Sequence, residues 1–312
     1  MISVVVPVFN EEENVRILYG KIKEVMVNNG YEHEIIFVDD GSDDGTFEIL
    51  KEIAKEDKSF KVIRFRRNFG QTAAMAAGFD YAHGKIIVSM DGDLQNDPED
   101  IPKLLEKIEE GYDVVSGWRK ERQDEPKRVF LSKVANKLIS KITKVELHDY
   151  GCSLKAYRAD IAKNLHMYGE MHRFIPALAN IYGATITEIP VKHHPRKFGK
   201  SKYNLSRTFR VIVDLILVYF MQKFMTRPIH FFGIIGFFLA FFGLLIDGYL
   251  AFEKIFLGVS IRNRPLLLLG VLLILTGVNL LGIGIISEIL TRIYYESQNK
   301  KIYNIKTILN NE

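Results

Sequence analysis

The sequence predicts an α/β protein: a mostly parallel sheet covered by helices on both faces, followed by a two-helix membrane hairpin. Three observations carry this reading. Short apolar runs bounded by turn residues alternate with amphipathic helical patterns in the first part of the chain. Polar and acidic residues follow those runs immediately, where open α/β sheets bind their ligands. Near the C-terminus stand two apolar stretches almost free of ionisable side chains, each matching the roughly 20 residues a spanning helix requires.

The expected strands are residues 2–8, 34–38, 62–65, 86–90 and 113–117, with another at 186–191. The first apolar run has no basic residues ahead of it and Pro7 interrupts it early, so it reads as a strand and not as a signal peptide. In the helix that follows, Val15, Leu18, Ile22 and Val25 share one face, and Asn10 with Glu13 forms a capping box at its start. Further helices are expected at 46–55, 71–82 and 101–109.

The 312 residues are 47% hydrophobic and 26% charged with a single cysteine, which excludes a disordered polymer and a disulfide scaffold. Lone Cys152 cannot form an internal bridge and no Cys/His spacing resembles a zinc site, so the folded region is expected in a reducing compartment. A net charge of +4 is too small and too dispersed for a nucleic-acid partner.

Between residues 229 and 250 only His230 and Asp247 can carry charge, and between 265 and 287 nothing can. The expected organisation is a cytoplasmic domain over 1–206, an amphipathic juxtamembrane helix over 207–228, membrane helices at 229–252 and 264–288, and a cytoplasmic tail from 289 to 312. Phe209, Ile212, Val213, Ile216, Leu217, Phe220 and Phe224 recur at helical spacing among polar residues, as in a helix lying along the interface. Arg207, Arg210, Lys223 and Arg227 precede the hairpin, and Arg292, Lys300, Lys301 and Lys306 follow it. The outer loop holds only Lys254, Arg262 and Arg264, so the positive-inside rule puts the large folded region and both termini in the cytoplasm. Glycines 233, 236, 243, 270, 277, 282 and 284 permit close helix approach in lipid, including contacts between copies of the chain in a homo-oligomer.

The residues just past the strands carry the chemistry. They are Phe9-Asn10-Glu11, Asp39-Asp40-Gly41-Ser42, Asp91-Gly92-Asp93-Leu94-Gln95 and Trp118-Arg119, so four strand ends gather acids and an arginine at one sheet edge. A single Asp in a turn is usually a cap or turn residue; four ends converging point to a site. Asp91 and Asp93, two apart in an extended segment, can face one side and hold a cation, with Gln95 adding a neutral oxygen. Such hard oxygen ligands suit Mg²⁺ or Mn²⁺ completed by water and phosphate oxygens. Gly199-Lys200-Ser201 is not a phosphate loop, because His194 occupies the place of the required first glycine. His193 and His194 are adjacent on an outgoing strand and point to opposite faces, so they make a poor metal pair and read as structural or as one contact near the site.

Val6-Pro7-Val8-Phe9-Asn10-Glu11, Val38-Asp39-Asp40-Gly41-Ser42 and Asp91-Gly92-Asp93-Leu94-Gln95 resemble family 2 glycosyltransferases with the Rossmann-like GT-A fold. Asn68-Phe69-Gly70-Gln71, Asp149-Tyr150-Gly151-Cys152, His172-Arg173-Phe174-Ile175-Pro176 and the segment from Arg196 to Tyr203 are similar to the polyprenyl-phosphate branch of that family. The resemblance implies that Pro7, Phe9, Glu11, Val38 and Asp40 line the base and ribose of a nucleotide sugar, with Asp39 in support. It places Asp91, Gly92 and Asp93 in a DxD-type motif in which Asp93 and Gln95 bind the metal. Arg119, Arg196 and Lys202 match phosphate-holding positions. Arg128 and Ser132, on one helical face, are similar to the pair that grips the lipid phosphate.

The implied activity is inverting transfer of a sugar from a nucleotide sugar, UDP-linked in slight preference to GDP-linked, to undecaprenyl or dolichyl phosphate. An acceptor phosphate is already anionic and needs no general base, so cations and a metal at the leaving diphosphate supply most of the catalysis. A processive polysaccharide synthase would carry a QxxRW segment, whereas the sole tryptophan, Trp118, follows Gly117. A non-catalytic scaffold that only binds nucleotide sugars would not need the paired carboxylates together with lipid-phosphate cations.

Overall fold

A computed structural model describes residues 1–120, 136, 139–140, 143, 145–165, 167, 169, 171–195, 220, 228–258, 260, 264–297 and 305–309. The chain divides into two units, one of Met1–Val218 with Lys301–Glu312 and one of Tyr219–Lys300.

In the first unit β1 (Ile2–Val8), α1 (Val15–Asn28), β2 (His33–Asp39), α2 (Thr46–Glu56), β3 (Phe60–Phe65), α3 (Gln71–Tyr81) and β4 (Ile86–Ser89) follow in strict alternation. Then come α4 (Ile101–Glu109), β5 (Val114–Trp118), β6 (Lys155–Arg158), α5 (Ala159–Asn164), α6 (Ile175–Ile181) and β7 (Ile186–Pro190). The sheet runs β7-β5-β6-β4-β1-β2-β3 and ends on β8 (Ile305–Leu309). β1 pairs in parallel with both β2 and β4. Val4, Val5 and Val6 have no exposed surface, because a central parallel strand is covered on both faces and reads as continuous β-branched sequence. The chain adds β2 and β3 on one side of β1 and then crosses back to β4 on the other, which makes the β1/β4 junction the crevice where such sheets bind ligands.

Four details differ from the sequence expectation. The sheet is more mixed, since β6 runs antiparallel to β4 and β5; its sequence, Lys155-Ala156-Tyr157-Arg158, holds no apolar run to announce a strand. Residues 305–309, expected within a cytoplasmic tail, form β8 antiparallel to β3. Helix α1 starts at Val15, and Asn10 does not cap it: with φ 54 it turns away, and its side chain exchanges hydrogen bonds with Asp43 (Nδ2 to Oδ1 2.6 Å; Asp43 N to Oδ1 3.1 Å). Met26, not Val25, completes the buried stripe of Val15, Leu18 and Ile22.

Away from the crevice, Glu34 and Lys61 form a buried ion pair at 2.9 Å. Burial alone would raise the Glu34 carboxyl, but hydrogen bonds from Ser3, Lys61 and the His83 amide outweigh it and hold the group below its usual range.

The second unit contains α7 (Pro228–Phe256) and α8 (Pro265–Ser297). Their apolar spans, Phe231–Phe256 and Pro265–Ser287, are only about 11% buried; the core helix of a soluble protein would be mostly buried. The helices meet through glycine. A Cβ on Gly277 would lie 2.5 Å from the Gly236 carbonyl oxygen, and one on Gly243 would lie 2.6 Å from that of Gly270, so backbone packs on backbone as small residues allow in lipid. Phe237, Phe238, Phe241 and Phe242 point outward. Of the expected juxtamembrane helix, Phe220 is described, its ring 5.8 Å from those of Phe231 and Phe232; the rest up to Pro228 lies outside the described residues.

Candidate active site

The ends of β1, β2 and β4 build the crevice. Past β2, Asp39 has no exposed surface; it accepts a hydrogen bond from the Ser42 amide at 2.9 Å and pairs with Arg64 Nε at 3.3 Å. Arg64 also donates to the Ser42 carbonyl and lies over the Phe47 ring. Asp39 therefore holds the 39–42 turn together. Asp40, 3% exposed, takes the Phe69 amide on Oδ1 at 2.7 Å and the Gly70 amide on Oδ2 at 2.9 Å. Burial pushes its carboxyl up to about 6, helped by Asp39 and opposed by those two amides. Gly41 sits at φ 74 with its Cβ position 2.5 Å from the Arg67 carbonyl carbon, so the 39–42 and 66–70 loops touch backbone to backbone.

Past β4, the Asp91 amide donates to Ser153 Oγ and its Oδ1 accepts from Gln71 Nε2 at 2.6 Å. Asp93 is buried at 7% and takes the Gln95 amide on Oδ1 at 3.2 Å. Gly92 lies against β1, its Cβ position 2.7 Å from Val8 Cγ1, and Leu94 takes φ 61, a left-handed conformation that costs a side chain about 1–2 kcal/mol. Strain of this kind marks a turn that the surroundings over-determine. Burial and the neighbouring Asp93 raise the Asp91 carboxyl, against Ser153, Arg119 and Lys155.

Two acidic side chains two positions apart at the end of β4, one of them raised by burial and by the charge of the other, are a donor set that fits a divalent ion. Gln95 is beside them, its amide nitrogen directed at the His194 carbonyl at 3.4 Å. No group of three or more His, Cys, Asp or Glu side chains among the described residues could hold a metal, so an ion here would draw further ligands from water or phosphate oxygens.

Of the residues expected to line a base and ribose, Pro7, Phe9 and Glu11 are half-buried at the rim, while Val38 is wholly buried in β2. Arg119, expected on a phosphate, is held by Asp149 through two nitrogens, Nε to Oδ2 at 2.7 Å and Nη2 to Oδ1 at 2.9 Å. Arg128, Ser132, Arg196 and Lys202 lie outside the described residues. His193 and His194 belong to a loop with one isolated bridge, Asn96 to His193. His194 Nε2 is 2.9 Å from Asp97 Oδ2 and its amide donates to the Gln95 carbonyl at 2.8 Å. The loop is thereby fastened to the 95–97 turn, next to the acidic motif.

Sequence reasoning noted the segments around Gln71, Asp149 and His172 but gave none of them a task. Lys155 escaped it altogether. This lysine is 2% exposed, with Nζ donating to the carbonyls of Tyr150 and Cys152. Burial lowers its pKa, Arg119 adding to the effect and Asp149 and Asp91 opposing it. An isolated lysine in a four-residue strand gives no signal in the sequence; only the pairing of Ser89 with Lys155 puts it behind the acidic motif.

A family model described as "Glycosyl transferase family 2" matches residues 3–165. The chain is 46% identical over its whole length to dodecaprenyl-phosphate galacturonate synthase of Rhizobium johnstonii, 94% of which is covered. It is 37% identical, again over all of this chain and 90% of the other, to undecaprenyl-phosphate 4-deoxy-4-formamido-L-arabinose transferase of Pseudomonas fluorescens. Among solved structures it is similar in fold to glucosyl-3-phosphoglycerate synthase from Mycobacterium tuberculosis in complex with Mn²⁺, UDP and phosphoglyceric acid. The TM-score is 0.55 at 20% identity, over 71% of this chain and 78% of that one.

Proposed function

The chain belongs to glycosyl transferase family 2, and from that membership we propose that it is an inverting membrane glycosyltransferase that moves a sugar from a nucleotide sugar to a polyprenyl phosphate. The observation that carries the reading is the pair Asp91 and Asp93 at the β1/β4 crevice, half-buried and buried, with burial and the charge of Asp93 raising the Asp91 carboxyl. The relatives named for transfer to dodecaprenyl or undecaprenyl phosphate supply the acceptor class.

In this reading Pro7, Phe9, Glu11, Val38 and Asp40 form the base and ribose end of the donor site, and Asp39 keeps the 39–42 turn in shape. Asp93 and Gln95 hold Mg²⁺ or Mn²⁺ beside Asp91; when bound, the ion supplies positive charge at the departing diphosphate. Arg119 adds a buried cation at the rim, and Arg196 and Lys202 bind phosphate oxygens. Arg128 and Ser132 take the acceptor phosphate. Because that phosphate arrives as an anion, these residues need only neutralise and align it for in-line attack, with no proton to remove. The positive charges flanking the hairpin put the catalytic unit on the cytoplasmic side.

The donor is a UDP-sugar in preference to a GDP-sugar, and a uronic acid heads the candidates because the relative at 46% identity is named for galacturonate. The test incubates the full-length chain in detergent with a panel of labelled UDP- and GDP-sugars, UDP-galacturonate included, and a short polyprenyl phosphate. Label should pass to the lipid with one donor and stop on chelation of divalent metal. Absence of glycolipid with every donor would overturn the reading.

A further inference from the structure

The segment Phe69–Thr72, at the start of α3, touches three separate parts of the fold, two of them in the crevice. Its Phe69 and Gly70 amides occupy both oxygens of Asp40 at the end of β2. The Gln71 side chain donates to Asp91 Oδ1 at the end of β4. The Thr72 hydroxyl donates to the Gly169 carbonyl at 2.6 Å and lies 2.7 Å from His172 Nδ1. β2 and β4 are not neighbours, since β1 separates them. The segment therefore bridges over the end of β1, from the residue assigned to the base end of the donor to the one assigned to its sugar-diphosphate end.

We infer that Gln71 is a positioning residue for Asp91 and that, through the 69–72 segment, it couples the two ends of the donor site. The chemistry of the side chain supports this. A carboxylate oxygen accepts, so the amide must present Nε2 to Asp91, and the bond fixes the rotation of that carboxylate while leaving Oδ2 to other partners. Gln71 achieves this without charge. An arginine or lysine in its place would orient Asp91 equally well but would cancel the negative potential that the Asp91/Asp93 pair offers a cation. A glutamate would add a third carboxylate and no donor.

The inference rests on the reading of the acidic pair as the metal and donor site, so its test separates binding from transfer. Mn²⁺ binding to the full-length chain in detergent is measured with and without UDP for the wild type, Gln71→Ala and Gln71→Lys, with melting temperatures alongside. Losing one hydrogen bond to a charged group should weaken Mn²⁺–UDP binding about tenfold in Gln71→Ala. Gln71→Lys should weaken Mn²⁺ binding further while leaving metal-free UDP binding no worse than in Gln71→Ala. Equal losses in the two variants would show a packing role and overturn the inference, as would wild-type binding in Gln71→Ala or no Mn²⁺ binding by the wild type.

A measurement without substitution covers the case in which the variants do not fold. Mn²⁺ alone should slow hydrogen exchange at the Phe69 and Gly70 amides of the wild type, across β1 from the acidic pair; unchanged exchange there would overturn the coupling. A wild type that binds Mn²⁺–UDP yet transfers no sugar would instead remove the enzymatic reading and leave the role of Gln71 standing.

Discussion

Arg119 and Asp149 meet fork to fork at the rim of the sheet, two guanidinium nitrogens on two carboxylate oxygens at 2.7 and 2.9 Å, both side chains largely buried. Asp149 Oδ1 also takes the Gly151 amide at 3.1 Å, and the next turn carries Ser153, which receives the Asp91 amide. The pair thus ties the end of β5 to the segment that supports the acidic motif.

Asp149→Ala leaves a buried guanidinium without its partner, a change that costs about 3–5 kcal/mol in comparable settings. The melting temperature of the purified chain should drop by several degrees and donor binding should weaken with it. A variant that melts with the wild type would show that the fork contributes nothing to the rim.

Asp40 makes stability depend on pH in a definite direction. Its carboxyl is raised from 3.8 to about 6 in the fold, so between those values the folded chain binds a proton that the unfolded chain does not, and stability falls as pH rises from about 4 to about 6. At ~1.4 kcal/mol per unit the effect is of order 3 kcal/mol. Asp40→Asn should remove this component from melting curves recorded between pH 4 and 6.5; identical pH dependence in the two proteins would refute it.

Asp93→Ala removes one carboxylate of the pair. Sugar transfer should fall at least about 100-fold, the scale on which charge stabilisation at a leaving group acts. Chelation of divalent metal should do the same to the wild type, with Mn²⁺ or Mg²⁺ restoring it. Turnover of the variant at the wild-type rate would remove Asp93 from the metal site.

Gly277→Val puts branched carbon where 2.5 Å separates the Cβ position from the Gly236 carbonyl. Since the obstacle is backbone, α7 and α8 must part, and the chain should aggregate in detergent at a lower temperature than the wild type. Gly282→Val, with nothing within 4 Å of its Cβ position, is the control expected to change little.

Much of this protein was legible in the residues themselves. β1 was readable because a strand covered on both faces must be apolar at successive positions, and the hairpin because lipid admits only long uncharged helices. The acidic motifs followed, since polar residues directly after parallel strands can only lie at one edge of the sheet. Tertiary structure alone decided what those groups touch. β6, bounded by Lys155 and Arg158, and β8, broken by Lys306 and Thr307, hold no continuous apolar run, and they pair with the strands β4 and β3. The bond from Gln71 to Asp91 and the fork of Arg119 on Asp149 join residues 20 and 30 positions apart, and Lys155 sits across the sheet from Ser89. No local pattern encodes such contacts, because they arise only when the strands are in register and the chain has crossed back over β1.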